Sequence, residues 1–426
     1  MNADNPEQRS PFSRGLQHET KRAAVLSCAA KLFNTKGARS TTLADVAARL
    51  GLTKTSLYYY VDTKEDLIYQ CYEHSLMRAH RQLDEVLSKP QSPLEHLLSF
   101  LEQQIITTLQ SLDGEGDYYA APLEFASLKA AHRDALEQEY RRLLKRLIER
   151  LRAGMAAGDI RECNPVVTMR AIIGALDWSF YWLYEMPREE ANHVVAVVRD
   201  VLTHGLLAAG SAYQPAAHPG VGVLAKPQSA FDREARNRLK QEAFLKAGTR
   251  CFNQKGFTGT SLDEIAEQLR VSKGAFYYHF ANKEALLTQC YDFALDQLDA
   301  VMAGLDDISS SPAEKIDRAC RQIFTLQNSD QGPLVHFNAI TALPPAVRRR
   351  LLDRVDKHYR QLTDLLDDAI RQGEFRPVRS DIFIQLLGGA LNASMDIATW
   401  QPMTSLDSGA IDYFSVFFHG LAPYQG

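Results

Sequence analysis

The chain has 426 residues, 45% of them hydrophobic and 23% charged, proportions of a globular protein too long for one ordinary core. Its formal net charge of −4 argues, taken alone, against a polyanionic partner. The best apolar run, at 166–184, is interrupted by Arg170 and Asp177, and the stretch 1–17 is polar, so neither a membrane span nor a signal segment is expected and a cytoplasmic location is.

The charge is unevenly distributed. Residues 1–64 carry ten Lys/Arg against five Asp/Glu, and residues 225–283 carry eleven against six, leaving the remainder at −14. Two basic segments on an acidic body can steer locally to a phosphate backbone.

In chain order, a polar arm (1–17) leads into a first helix that runs to Lys36 and stops at Gly37, a natural C′ glycine. Thr42 with Asp45 opens a short second helix as a weak capping box, and Gly51 can supply a left-handed turn residue. Thr53 then caps a third helix whose sequence, Thr-Lys-Thr-Ser-Leu-Tyr-Tyr-Tyr-Val-Asp-Thr-Lys, ends at Lys64. Two short helices joined this tightly, the second rich in small polar groups, read as helix-turn-helix. The head occupies 18–72 and a first helical regulatory domain 73–209. Within the latter, 131–157 makes an apolar stripe of Leu136, Tyr140, Leu143, Leu144, Leu147 and Leu151, ended by Gly158. Asn164-Pro165 opens a helix to about residue 185, and a last helix spans 188–209. Ala, Pro and Gly break all periodicity at 210–230, a linker whose reach is at most about 70 Å.

The pattern then returns. At an offset of 219, residues 21–72 align on 240–291 without a gap, with twenty identities that include Asn34/Asn253, Lys54/Lys273 and Tyr58/Tyr277. A unit of that length is a duplicated domain. The second head (231–291) has its own Gly256, a stronger capping box at Ser261 and Glu264, and Arg270 where the first has Gly51, a poorer left-handed residue. Its reading segment is Ser-Lys-Gly-Ala-Phe-Tyr-Tyr-His-Phe-Ala-Asn-Lys, from Ser272 to Lys283. The second regulatory domain (292–426) contains helices at 345–372, ended by Gly373, from Ser380 onward, and at 405–420; Tyr359 is taken as the counterpart of Tyr140. With no convincing strand, the expected fold class is all-α, two tandem units.

Cys28, Cys71, Cys163, Cys251, Cys290 and Cys320 form no Cys-x-x-Cys or zinc spacing, and the matched Cys71 and Cys290 read as buried thiols. No phosphate loop, nucleophile elbow or metal cluster is present, so no enzyme, metal or cofactor is expected.

The second copy, through Phe252, Gly256, Ile265-Ala266, Ser272, Lys273, Phe276, Tyr277, His279, Phe280, Lys283, Glu284 and Leu286, resembles the TetR family of bacterial transcriptional regulators. The first copy matches at Thr53, Lys54, Leu57, Tyr58, Lys64, Glu65 and Leu67 but has Tyr60 and Val61 in place of the family's histidine and phenylalanine. The resemblance implies a ligand-released repressor that pairs through its last two helices and binds a double-stranded operator, here as an intrachain pseudodimer with further homodimerisation possible. It puts Lys54, Thr55, Ser56, Lys273, Gly274 and Ala275 at the groove, with Tyr58, Tyr277, Lys64 and Lys283 on phosphates. Thr42 and Ser261 add backbone contacts, and Tyr59 and Tyr278 either join them or pack the head's own core. An effector pocket is expected among Tyr118, Tyr119, Phe125, Asp177, Trp178, Tyr181 and Trp182 in the first half. In the second the candidates are His336, Phe337, Asn338, Asn392, Asp396 and Trp400. An aromatic-lined helix interface is the competing reading of the tryptophan helices. The turns at 158–161 and 373–376 resemble the branch of the family that answers acyl-CoA thioesters, with Arg141, Arg142, Lys145, Arg146, Arg348, Arg349 and Arg350 as phosphate partners or a solvated face. The alternative function is a nucleoid or protein-interaction factor that binds DNA without a small molecule.

Overall fold

The computed structural model describes residues 18–38, 41–120, 128–208, 215, 233–306, 310–395 and 401–423. The arm at 1–17, the linker at 210–230 save Pro215, and the candidates Phe125, Asp396 and Trp400 lie outside them, as do the side chains of Tyr181, Phe337 and Asn338. Among the described residues the regular structure is helical, with one isolated antiparallel bridge between Leu207 and Phe375.

Each head opens with three helices: α1 (His18–Lys36), α2 (Leu43–Arg49) and α3 (Lys54–Leu57), then α10 (Arg233–Gly259), α11 (Leu262–Gln268) and α12 (Lys273–His279). Gly37 (φ 80°) ends the first run, and Gly256 (φ 64°) breaks the helical geometry inside α10 at the matching place. The capping strengths are the reverse of those expected. Thr42 and Asp45 form a complete capping box, whereas the Ser261 side chain makes no cap bond and the Glu264 carboxylate pairs with Lys255. Arg270 takes the left-handed conformation (φ 55°) that Gly51 takes in the first head (φ 67°), which costs an L-residue on the order of 1 kcal/mol. α3 has four residues and α12 seven. The longer helix rests on an aromatic cluster in which Phe276 and Phe280 lie 5.2 and 6.0 Å from the ring of Phe244. The first head fills that space with Leu57 and Val61, both buried.

The bodies follow as α4 (Lys64–Leu87), α5 (Pro93–Asp113) and α6 (Ala130–Ala156), and as α13 (Lys283–Asp306), α14 (Pro312–Asn328) and α15 (Pro345–Arg371). Ser92 and Ser311 cap α5 and α14 just before a proline. α5 has 21 residues and α14 has 17, so the second half lacks one helical turn there. α6 and α15 are equal at 27 residues and end at left-handed Gly158 and Gly373. Beyond the deletion the offset between the halves is therefore 215, and the counterpart of Tyr140 is Val355, not Tyr359. Losing a whole turn preserves which face of the next helix meets the core, so the substitution of partners is tolerated.

The helix expected to run unbroken to residue 185 is divided at Trp178 into α7 (Pro165–Asp177) and α8 (Ser179–Glu185), followed by α9 (Arg188–His204). α16 (Ser380–Asn392) and α17 (Leu406–His419) complete the second half. α7 and α9 pack against α16 and α17, making a four-helix arrangement from the ends of the two halves. The contact is reciprocal. The Arg161 amide donates to Leu421 O at 2.9 Å, and the Arg376 amide donates to Leu206 O at 2.8 Å. The Arg161 Nε donates to Gly420 O at 2.6 Å, and the Arg376 Nε donates to Gly205 O. At the crossing a Cβ on Gly205 would fall 2.3 Å from Phe418 O, and one on Gly420 would fall 2.3 Å from Thr203 O, so both positions need glycine.

Candidate DNA-binding surfaces and the cavities behind them

The N-terminus of each reading helix is built alike. Thr53 Oγ1 accepts from the Ser56 amide at 3.1 Å, and Ser272 Oγ accepts from the Ala275 amide at 3.2 Å. Lys54, Thr55, Lys273, Gly274 and Ala275 are exposed; Ser56 is half-buried and shares a hydrogen bond with Thr53. Both members of each tyrosine pair point outward, Tyr59 and Tyr278 at 80% and 86% exposure and Tyr58 and Tyr277 at 46% each. Neither pair packs the head's core; the next residue does, for Tyr60 is half-buried against it. Thr42 is occupied as the α2 cap, and Ser261 is exposed.

The heads differ electrostatically. Lys273 Nζ sits 2.6 Å from Asp263 Oδ2, while Lys54 has no carboxylate partner among the described residues and lies 5.9 Å from the Tyr58 ring. Lys283 Nζ donates to the carbonyls of Thr260 (2.7 Å) and Thr258 (3.3 Å), tying α13 to the end of α10, and Lys64 is half-buried at the start of α4.

Behind each head lies a cavity. That of the first half, about 100 Å³, is walled by Ser75, Arg78, Gln104, Thr108, Tyr119, Tyr140 and Asp177 together with Leu76, Phe100 and Ile105. Burial pushes the Asp177 carboxyl up to about 7, against the opposing effects of Arg170 and a hydrogen bond from Tyr140. That of the second half, about 130 Å³, is walled mainly by Leu295, Met302, Ile323, Leu334, Leu351 and Leu362, with Gln327, Tyr359 and Asn392 as polar edges. Trp178 belongs to this second cavity although it comes from the first half: its Cβ faces Gly389 across the seam and its side chain hydrogen-bonds Tyr359. Trp178 thus lies both at the seam and on the wall of the opposite half's cavity.

Each cavity wall is fastened to its head by the same residue. Asn34 Nδ2 donates to Tyr119 O at 2.8 Å, and Asn253 Nδ2 donates to Leu334 O at 2.9 Å. The Tyr118 amide donates to Ser27 Oγ, and Lys31 lies 4.3 Å from the Tyr118 ring, so Tyr118 faces the head rather than the cavity. In the second half the His336 amide donates to Asn253 Oδ1, and burial lowers the His336 imidazole to about 4; the residue stands behind the cavity wall. Trp182 is buried, and its indole nitrogen meets no acceptor among the described residues.

Four of the seven basic residues considered for CoA phosphates are engaged on the helix surface: Arg142 with Glu139, Lys145 with Glu149, Arg146 with Asp84, and Arg350 with Asp292. Arg161 and Arg376, in the glycine turns, serve the seam between the halves. Arg78, Gln104, Thr108, Gln327 and Tyr359 are cavity residues that the sequence does not mark as such; nothing in helical periodicity separates a cavity wall from a packed core. Cys71 and Cys290 are buried, their thiols directed to Leu26 O and Leu245 O. Among the described residues no helix is long and apolar enough to cross a membrane, and no cluster of three or more His, Cys, Asp or Glu could hold a metal ion.

Two family models each match twice. Bacterial regulatory proteins of the tetR family match at 25–71 and 244–290, and the tetracyclin repressor-like C-terminal domain matches at 96–206 and 309–400. The Transposon Tn10 TetC protein of Escherichia coli is 28% identical over 142 residues, 32% of this chain and 69% of that protein. The HTH-type transcriptional repressor DhaR of Mycobacterium sp. (strain GP1) is 28% identical over 194 residues, 44% of this chain and 95% of its own. Among solved structures, a TetR/AcrR-family transcriptional regulator from Thermobifida fusca is 26% identical with a TM-score of 0.34, covering 42% of this chain and 95% of that one.

Proposed function

Because the chain belongs to the TetR family of bacterial regulatory proteins and carries both of its domains twice, we propose that a single polypeptide forms the complete operator-binding unit. The protein is a DNA-binding transcriptional regulator. Its two heads address the two half-sites of one operator, repress from it, and are released when an effector fills a cavity. The observation that carries this reading is the reciprocal seam: Arg161 reaches Gly420 as Arg376 reaches Gly205, the isologous pattern of a two-fold dimer written into one chain.

Lys54 and Lys273 approach the groove, and the exposed tyrosines and Lys64 meet phosphates, with Lys283 holding the head together behind them. Phosphate contacts set register and the short groups of the reading helices specify bases. Thr55-Ser56 offers hydroxyls where Gly274-Ala275 offers bare backbone and a methyl, so the two half-sites are unlike. An effector that displaces Tyr119 or Leu334 pulls on Asn34 or Asn253, and hence on α1 or α10; differential affinity for the two head positions is what releases DNA. The cavities favour this over a nucleoid factor without a ligand, since a cavity is costly unless something fills it. The site of action is the cytoplasm.

Random-site selection followed by mass measurement of the complex tests the reading. One chain on an operator with two unlike half-sites is expected, and exchanging Thr55-Ser56 for Gly-Ala should draw one half-site toward the sequence of the other. Two chains on a palindrome, insensitive to that exchange, would sink the single-chain unit.

A further inference from the structure

The walls of the two cavities differ in polarity at matched positions. At the offset of 219, the wall residues Ser75 and Gln104 of the first half correspond to Ala294 and Ile323 of the second; Arg78 and its neighbour Gln82 correspond to Gln297 and Val301, which do not line the second cavity. The residue tied to the head asparagine is Tyr119 in one half and Leu334 in the other. The second cavity is thereby mostly apolar, with Gln327, His358, Tyr359 and Asn392 at its edges, whereas the first holds a cation, Arg78.

Arg78 is held by neutral groups. Its Nη1 donates to Gln82 Oε1 at 2.9 Å, its Nη2 donates to Gln104 Oε1 at 3.2 Å, and its guanidinium lies 4.0 Å from the Tyr119 ring centroid. The Nε is buried and meets no acceptor among the described residues. Burial lowers the guanidinium to about 10, and the neighbouring Arg81 adds a second positive charge. The acid in the same cavity, Asp177, is engaged with Tyr140 and Arg170 instead. A largely desolvated guanidinium with neutral partners and an idle donor has its desolvation only partly compensated, and a planar two-oxygen anion is the group that fits its fork.

We propose that the first-half cavity is a binding site for a compact organic carboxylate, anchored by Arg78, with its carbon skeleton against Leu76, Phe100 and Ile105. At about 100 Å³ the space is smaller than the apolar cavity of about 150 Å³ that accepts benzene, so the ligand has few carbons or the wall opens slightly to admit a ring. The assignment rests on the reading of these cavities as effector sites. It makes the two halves answer to chemically different compounds, a small acid in the first and a neutral apolar molecule in the second.

Calorimetric titration of the full chain with butyrate and benzoate, against butyramide and benzamide, is the test. One acid per chain is expected, with each amide weaker by roughly tenfold or more, the worth of a charge-assisted contact. Arg78→Gln should reduce the acid to the level of its amide, and Arg78→Lys should restore part of the difference. No heat with either acid, equal binding of acid and amide, or full binding by Arg78→Gln overturns the site. Should Arg78→Gln fail to fold, the acid–amide comparison on the unaltered chain decides alone. Operator release is scored separately. An acid bound through Arg78 that leaves the operator in place overturns the effector reading and upholds the site. Release by a neutral apolar compound, with no acid bound, does the opposite.

Discussion

Lys273 holds its ammonium 2.6 Å from Asp263, a carboxylate that has no counterpart in the first head, where Ala44 stands at the repeat-equivalent position. A DNA phosphate must compete with that carboxylate for the lysine. Asp263→Ala should therefore tighten operator binding and steepen its salt dependence by about one counterion, while Lys273→Ala and Lys54→Ala weaken binding and flatten it. Affinity measured across a salt series reads both effects. Slopes unchanged in all three variants would take these helices out of the interface.

The asparagine ties should carry the effector signal. Asn34→Ala and Asn253→Ala each remove the bonding between head and cavity wall, to Tyr119 in one half and to Leu334 and His336 in the other, at a stability cost of about 1 kcal/mol per bond. In each variant effector binding should persist while operator release is blunted in that half. Release at the original effector concentration in both variants would show that the signal travels elsewhere, for instance along α4 and α13.

The seam between the halves tolerates no side chain at its crossing. Gly205→Ala and Gly420→Ala combine a left-handed backbone with contacts near 2.3 Å to a facing carbonyl, so each should destabilise by roughly 2–4 kcal/mol. Differential scanning calorimetry should then resolve two transitions, with a single one expected for the native chain. A single transition at the native temperature would show that the seam accommodates the added methyl group.

Asp177 gives a pH signature. The folded chain keeps its proton up to about 7, whereas the unfolded chain releases it near an ordinary carboxylate value of about 4. The folded state binds more protons between those values, so this group makes stability fall as pH rises from about 4 to about 7, at up to roughly 1.4 kcal/mol per unit, with no further change above. Chemical denaturation of Asp177→Asn across that range should lack this component. An identical pH profile in the variant would show Asp177 to be solvated and ordinarily acidic.

The duplication, the all-helical class and the position of each reading helix were legible in the sequence because they rest on local rules. Caps at Thr53 and Ser272, stops at Gly37, Gly158 and Gly373, and a 3.6-residue apolar rhythm all act within a few residues of themselves. Even there, competition between neighbours escaped local reading: Glu264 was free on paper to cap Ser261, but Lys255 from the preceding helix claims it. The missing turn in α14 moved the register of everything after it, so Tyr140 and Tyr359 matched by sequence and not by place. Which half owns a side chain was decided only by tertiary structure. Trp178 follows the first half along the chain and walls the cavity of the second, because Gly174 and Gly389 let α7 and α16 close to where backbone meets side chain. In sequence Arg78 is one more polar residue on an amphipathic helix; only the fold sets it beside the Tyr119 ring, with neutral hydrogen-bond partners, in a cavity wall. Periodicity tells which face of a helix turns inward; whether that face finds a packed core, a partner half or an empty space depends on what arrives from distant sequence to meet it.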